Sequence, residues 1–336
     1  MRFHATRADV ARRAGVSTAV VSYVVNGGPR PVASTTRERV LEAMRDLDYR
    51  PNAVARALSL RRSNAVGLIV PDVGNTYFGA LARELSDQAF TAGYALVLGD
   101  SSNSIDRERA QIESLASHQI DGLIVVSLDP DSAVDVGGIP IVYLDQRRQT
   151  QQRSIVIDNE GGARLAVEHL LWHGRRRVAH LGGIPGSPGA DRRRAGWEYA
   201  LRSARVPLEP DMLITTEFSR AAGYAAGGTL LDGENRPDAV FVASDVQALG
   251  LLAAARERGV RVPEDLAVIS FDGTEDAVYS DPPLTAIEQP IAEIARKALQ
   301  TTLDPASEID DARIPVRLVI RASCGCGAMG SPRGGN

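Results

Sequence analysis

The sequence predicts an α/β protein in two parts: a small all-helical head over residues 1–62 and a larger body over residues 63–325, built from two doubly wound parallel-sheet subdomains. Two observations carry this expectation. Charge is divided unevenly: residues 1–62 hold twelve Arg against five acids, a net of +7, whereas the remainder holds 26 Lys and Arg against 37 acids, a net of −11. The apolar pattern also changes at Arg61-Arg62-Ser63-Asn64, from helical spacing alone to strands alternating with helices. With 336 residues, 44% hydrophobic and 24% charged, the chain suits two or three compact units of soluble composition. A basic head is an electrostatic footprint for a polyanion, and an acidic body limits non-specific sticking.

In the head, Thr6 reads as an N-cap and Asp9 opposes the positive helix end. Val10, Ala11 and Ala14 form the first apolar face, and Gly15 supplies the positive φ of a tight turn. Ser17 caps a second helix with Val20, Val21, Val24 and Val25 at helical spacing. Asn26-Gly27-Gly28-Pro29 stops it. Ser34 or Thr35 opens a third helix, whose Val40, Leu41, Met44 and Leu47 pack on the first two. Pro51 begins a short fourth helix over about 51–60.

The body opens with Val66-Gly67-Leu68-Ile69-Val70, a buried-strand run. A helix with Phe78, Leu81, Leu85 and Phe90 follows, then a strand at 94–98. Further strands are expected at 122–126, 139–143, 154–157, 178–181, 238–242 and 266–271, with helices at 161–172, 192–205 and 247–258. Strands separated by helices mean βαβ units and parallel sheets. Roughly ten strands exceed one ordinary sheet, so two are expected. The expected N-subdomain spans about 64–159 and 290–313, and the C-subdomain about 160–289 and 314–325. Residues 326–336 lack apolar heptads and read as a disordered tail, which argues against a tetramerising coiled coil.

Polar residues follow several strands directly: Asp72 and Asn75, Asp100, Ser127, Asp145, Ser244-Asp245 and Asp272. Ligands of open α/β sheets sit beyond the carboxyl ends of strands, so two facing sheets would close a small-molecule cleft lined by these groups. Catalysis is not expected. Gly182-Gly183-Ile184-Pro185-Gly186 has the wrong glycine spacing for a dinucleotide loop, and Pro185 and Pro188 stand where a helix should start. His169, His173 and His180 show no metal-like spacing with a carboxylate trio. Cys324 and Cys326 are too close for a relaxed disulfide, and two thiols alone make a poor metal site. No metal and no cofactor is expected. Residues 1–20 carry five charges and no apolar core segment, so no signal peptide is read there. No apolar run approaches about 18 residues, so no membrane span is expected and the cytoplasm is the expected location.

Taken together, these residues resemble one known family. Thr6 to Asn26, with Ala8-Asp9-Val10-Ala11, Ala14-Gly15-Val16-Ser17 and Val20-Val21-Ser22-Tyr23-Val24-Val25-Asn26, is similar to the helix-turn-helix of the lactose-repressor/galactose-repressor (LacI/GalR) family. Tyr49-Arg50-Pro51-Asn52 and Ala55-Arg56-Ala57-Leu58 resemble its hinge helix. Ala195-Gly196-Trp197, Ala243-Ser244-Asp245, Phe271-Asp272, Pro283-Leu284-Thr285 and Leu318-Val319-Ile320-Arg321 match its periplasmic-binding-protein-like core in order. The resemblance covers about residues 5–325. It implies a homodimeric transcriptional regulator, a repressor, that binds a palindromic operator in double-stranded DNA and answers to a small-molecule effector, with a sugar expected. The alternative is a sugar-binding protein without DNA function.

The resemblance also assigns sites. Thr18, Ala19 and Tyr23 would read bases from the major groove. Ser17, Ser22 and Asn26 would contact phosphates, and Thr6, Asn52 and Ala55 complete the DNA-facing set. Leu58 from each hinge helix would wedge into the minor groove, at a cost of about a few kcal/mol recovered through contacts. In the body, Arg193 and Asp272 are the first effector ligands. Ser244, Asp245, Asp145, Asn75 and Phe78 follow, and Phe218 offers an aromatic face. Structural roles compete at two of these: Asp272 could cap a helix and Asp145 could order a loop.

Overall fold

The computed structural model describes residues 5–26, 31–49, 63–127, 134, 136–145, 153–304 and 313–326. The chain divides into two compact units between Ser63 and Asn64. The first contains helices α1 (Arg7–Ala14), α2 (Thr18–Asn26) and α3 (Ser34–Asp46). Thr6 Oγ1 accepts from the Asp9 amide at 3.3 Å while the Thr6 amide donates to the Asp9 carboxylate at 2.9 Å, a reciprocal cap on α1. Gly15, at φ 65°, ends that helix in the left-handed region. The Ser17 hydroxyl accepts from the Val20 amide at 3.3 Å and opens α2.

Val10, Ala11, Ala14, Val21, Val24, Val40 and Ala43 form the buried centre of this unit. Val25, Met44 and Leu47 pack against it. Leu41, expected inside, is 40% exposed. It stands about 100° around the helix from Val40, so Ala43, not Leu41, continues the inner face. The expected hinge helix over 51–60 lies outside the described residues.

The second unit holds two sheets. In the N-lobe, β1 (Ala65–Val70), β2 (Ala95–Asp100), β3 (Gly122–Val125), β4 (Ile141–Leu144) and β5 (Arg153–Ile155) pair in the order β2-β1-β3-β4-β5, all parallel. Side chains alternate along β1. Val66, Leu68 and Val70 face α4 (Thr76–Thr91) and α11 (Ile291–Leu303), while Ile69 faces α5 (Ile105–Ser117).

The C-lobe sheet adds β6 (Val178–Gly182), β7 (Leu213–Thr215), β8 (Ala239–Val242), β9 (Ala267–Asp272), β10 (Thr285–Glu288) and β11 (Arg317–Val319), ordered β11-β10-β9-β8-β6-β7. Both lobes thus repeat one strand order, and the second gains an antiparallel edge strand, β11. Its helices are α6 (Asn159–Trp172), α7 (Pro188–Ser203), α8 (Arg220–Asp232), α9 (Asp245–Glu257) and α10 (Glu275–Tyr279).

The chain passes between lobes three times: after β5, between β10 and α11, and between α11 and β11, where Ile157 and Ile314 form an isolated parallel bridge. Pro188, read from sequence as a helix breaker, is the first residue of α7. A first-turn proline lacks only an amide that has no helical partner in any case, and its fixed φ suits that position. Cys326, placed by the sequence in a tail, is buried; residues 327–336 lie outside the described residues. Among the described residues no helix is long and apolar enough to cross a membrane.

Candidate functional site

Both sheets direct the carboxyl ends of their strands at a shared cleft of 460 Å³. Asn75, Phe78, Asp145, Arg193, Phe218, Ser244 and Asp272 line it, together with Tyr77, Asn103, Ser127, Gln289, the 184–187 turn and the first turn of α7. The strand-end pattern therefore gathers residues up to 200 positions apart (Asp72 to Asp272) in one place.

Arg193 and Asp272 lie at the floor. The Arg193 side chain is fed inward from α7, its guanidinium 3.8 Å above the Phe271 ring. Its Nε donates to Asn159 Oδ1 at 2.8 Å and its Nη1 to the Ala243 carbonyl at 2.5 Å. Nη1 also stands 3.7 Å from Asp272 Oδ1. Nη2 takes part in none of these contacts. Asp272 ends β9 at φ 115°, backbone that side-chain-bearing residues rarely adopt. Such strain persists where the surroundings hold it, and it clusters at ligand sites. Gln289 Nε2 donates to Asp272 Oδ1 at 2.8 Å, and the buried Gln289 Oε1 has no partner among the described residues. Burial pushes the Asp272 carboxyl up, against the pull of the Arg193 guanidinium; the negative charge of Asp245 adds to the rise. Asp272 does not cap α10, whose N-cap is Thr274.

The other predicted residues divide. Asp145 accepts twice from Asn159 Nδ2 at 2.7 Å and once from the Ile157 amide at 3.3 Å, so it both lines the cleft and orders the first crossing. Asn75 caps α4 by accepting from the Tyr77 amide at 3.0 Å. Ser244 caps α9, and its hydroxyl also donates to Gln247 Oε1 at 3.0 Å. Phe218 rests on Gly183, where any Cβ would meet its ring at 2.2 Å.

Asp245 is a correction. It is wholly buried and does not line the cleft. It accepts from Ser270 Oγ at 2.5 Å, the Thr274 amide at 2.6 Å and Thr274 Oγ1 at 2.8 Å, tying α9 to the turn after β9. Burial pushes this carboxyl up and those three bonds oppose the rise. Sequence reading missed Tyr77, a buried phenol whose titration burial and Asp272 push upward, and Gln289.

In the head, Thr18 and Ala19 are exposed at the start of α2, and Ser22 and Tyr23 are half-buried. Ser17 is exposed with its hydroxyl at the helix start. The Thr6 hydroxyl is engaged locally, donating to Asp9 Oδ2 at 2.6 Å. Asn52, Ala55 and Leu58, and the Asn26 side chain, lie outside the described residues.

Comparison with known proteins fits both units. Residues 6–52 match the sequence model of bacterial regulatory proteins of the lacI family, and residues 167–324 match a periplasmic binding protein-like domain. The HTH-type transcriptional repressor PurR of Erwinia tasmaniensis is 36% identical over 308 residues, spanning 89% of this chain and 90% of its own. The chain belongs to the LacI family. Catabolite control protein A of Priestia megaterium is 34% identical over 298 residues, with 87% of this chain and 90% of its own covered. A lac repressor dimer solved bound to operator and the anti-inducer ONPF superposes with a TM-score of 0.85 at 31% identity, covering 96% of this chain and 99% of that one. The regulator CelR in complex with cellobiose superposes at 0.69 with 30% identity over 95% of this chain and all of that one. This LacI-family chain is a DNA-binding transcriptional regulator with a small-molecule effector, and not an enzyme.

A second cluster of titratable groups sits at the opposite end of α6 from Asn159. His169 and His173, one helical turn apart, meet Cys324 and Cys326. Cys326 Sγ lies 3.1 Å from His173 Nε2 and 3.3 Å from His169 Nε2. No local pattern in the sequence pairs the thiols with the histidines; the fold joins residues about 155 positions apart.

Proposed function

We propose that the protein is a cytoplasmic, homodimeric repressor whose two heads read a palindromic operator and whose cleft takes a sugar. The observation that carries the effector class is the floor of the cleft. Arg193 offers donors, Asp272 and Gln289 Oε1 offer acceptors, and all three are fixed by buried neighbours. Adjacent donors and acceptors suit vicinal hydroxyls, each of which both gives and takes a hydrogen bond. Phe78 and Phe218 supply apolar faces for the ring carbons, and 460 Å³ holds a small ligand. The solved relative that carries cellobiose supports the same class.

The DNA reading rests on α2. Its exposed Thr18 and Ala19, with Tyr23, would face base edges, and Ser17 and Ser22 would face phosphates. None of the three readers is an Arg or Gln that makes bidentate base contacts. Half-site spacing and DNA deformability then carry much of the discrimination, with Asn52, Ala55 and the Leu58 wedge acting at the dimer centre. Effector control follows from differential affinity for two angles between the lobes.

A thermal-shift screen of sugars, polyols and nucleobases on the full chain tests the effector class. A sugar should raise the melting temperature by mass action, and Asp272→Ala should remove that shift while operator affinity stays within about twofold, a difference of roughly 0.4 kcal/mol. A nucleobase hit with every sugar silent would overturn the sugar reading.

A further inference from the structure

We propose that His169, His173, Cys324 and Cys326 form a tetrahedral site for a divalent transition metal of the Zn²⁺ class, separate from the effector cleft. One donor atom from each residue lies within 4.8 Å of those from the other three. Zn–S bonds of about 2.3 Å and Zn–N bonds of about 2.0–2.1 Å in a tetrahedron give donor–donor edges of about 3.4–3.8 Å. The two edges at 3.1 and 3.3 Å already approach that size, and the rest, none longer than 4.8 Å, need to close by no more than about 1.4 Å.

The backbone holds this arrangement by independent means. His169 is in the last turn of α6 and His173 is its C-cap, so helical spacing sets their rings edge to face on one side, with centroids 4.8 Å apart. Gly325, at φ 100°, turns the chain between the two cysteines in a conformation that a side chain would disfavour. Ser323 pins the same loop to the sheet. Its hydroxyl donates to the Val268 carbonyl at 2.6 Å and accepts from the Thr285 amide at 2.8 Å, and its carbonyl accepts from the Val268 amide at 2.8 Å. The thiols are therefore presented by a loop fixed on both faces, not by a loose chain end.

The donor set selects the ion. Two thiolates and two imidazoles suit Zn²⁺, whereas Mg²⁺ and Ca²⁺ prefer oxygen donors. The thiols release two protons to solvent on binding, so two negative charges balance the divalent ion and no oxidant is required. Four protein donors complete the tetrahedron, which makes the site structural, with no open position for water. The buried thiols and half-buried imidazoles leave an approach from the histidine side. An ion there would fasten the loop after β11 to α6, the helix whose Asn159, about 21 Å away by helical rise, holds the cleft residues Arg193 and Asp145.

The test is Co²⁺ titration of the full-length, untagged, reduced protein. One equivalent per chain should give the intense visible bands of four-coordinate cobalt with a near-ultraviolet thiolate-to-cobalt band, and Zn²⁺ should displace it. C324S/C326S should abolish both bands. Because those thiols are buried, His173→Gln, at a half-buried position, provides the second arm: it should weaken Co²⁺ binding at least about tenfold, or 1.4 kcal/mol, with near-ultraviolet dichroism unchanged. No stoichiometric Co²⁺ in the wild type, a weak six-coordinate spectrum, or bands of unchanged intensity and affinity in His173→Gln would each overturn the proposal.

Discussion

His180 is a wholly buried imidazole stacked between Trp197 and Phe241, with ring centroids 5.7 and 4.9 Å away. One ring nitrogen meets the Phe241 carbonyl at 3.0 Å, and Nε2 has no partner among the described residues. Burial pulls its titration from 6.5 down to about 4. The unfolded chain therefore takes up a proton near 6.5 that the native chain refuses until about 4. The stabilisation is complete above that upper value and is lost as pH falls through the window, by up to about 3 kcal/mol. Urea melts at neutral pH and near pH 4 should show this loss, and His180→Phe should show less of it; equal losses would assign acid sensitivity elsewhere. Residue identity made the cleft only partly legible. Arg193 and Asp272 stand in recognisable surroundings, whereas Tyr77 and Gln289 enter from a helix and a crossing with no local signature. Asp245 misled because a Ser-Asp pair after a strand looks the same whether its carboxylate points to ligand or to protein; here Ser270 and Thr274 claim it.

Among the elements, α8 and α9 pack through reciprocal glycines. A Cβ at Gly250 would stand 2.1 Å from the Arg220 carbonyl, and one at Gly223 would stand 2.2 Å from the Gln247 carbonyl. Both obstacles are backbone, so Gly250→Ala must push the helices apart and should cost roughly 1–3 kcal/mol or more. Gly79→Ala, exposed in α4 with open space around it, should instead stabilise by roughly 0.5–1 kcal/mol. Thermal melts of the two variants should move in opposite directions. At the DNA-reading end, Ser17→Ala removes the α2 cap and should cost about 1 kcal/mol of stability, measurable by the same melts. Strand–helix alternation was readable because buried parallel strands are near-continuous apolar runs. Short or half-exposed pieces such as β7 and β11 gave no such run, and Pro188 hid the start of α7 by standing at the one turn that tolerates it.

For the whole molecule, charge is the most legible feature. Residues 1–62 carry +7 and the remainder −11, a division that suits a DNA-binding head and a body with little non-specific affinity for a polyanion. Operator affinity should fall steeply with salt, with a log–log slope of about −0.9 per phosphate neutralised; a flat dependence would remove the electrostatic role of the head. Leu58→Ala should weaken palindromic operator far more than random duplex, and equal losses would sink the wedge. Pairing of distant residues was the least legible: no local pattern ties Cys326 to His169, or Asp145 to Asn159. The three crossings have one further consequence, for synthesis. The face of the N-lobe sheet formed by Val66, Leu68 and Val70 is closed by Ile294, Ala295 and Ala298 of α11, which the ribosome makes long after β5. At about 5–20 residues per second, the part of that face that α4 leaves open waits on the order of ten seconds for its cover, and stays open to non-native contacts until nearly the whole chain has been translated.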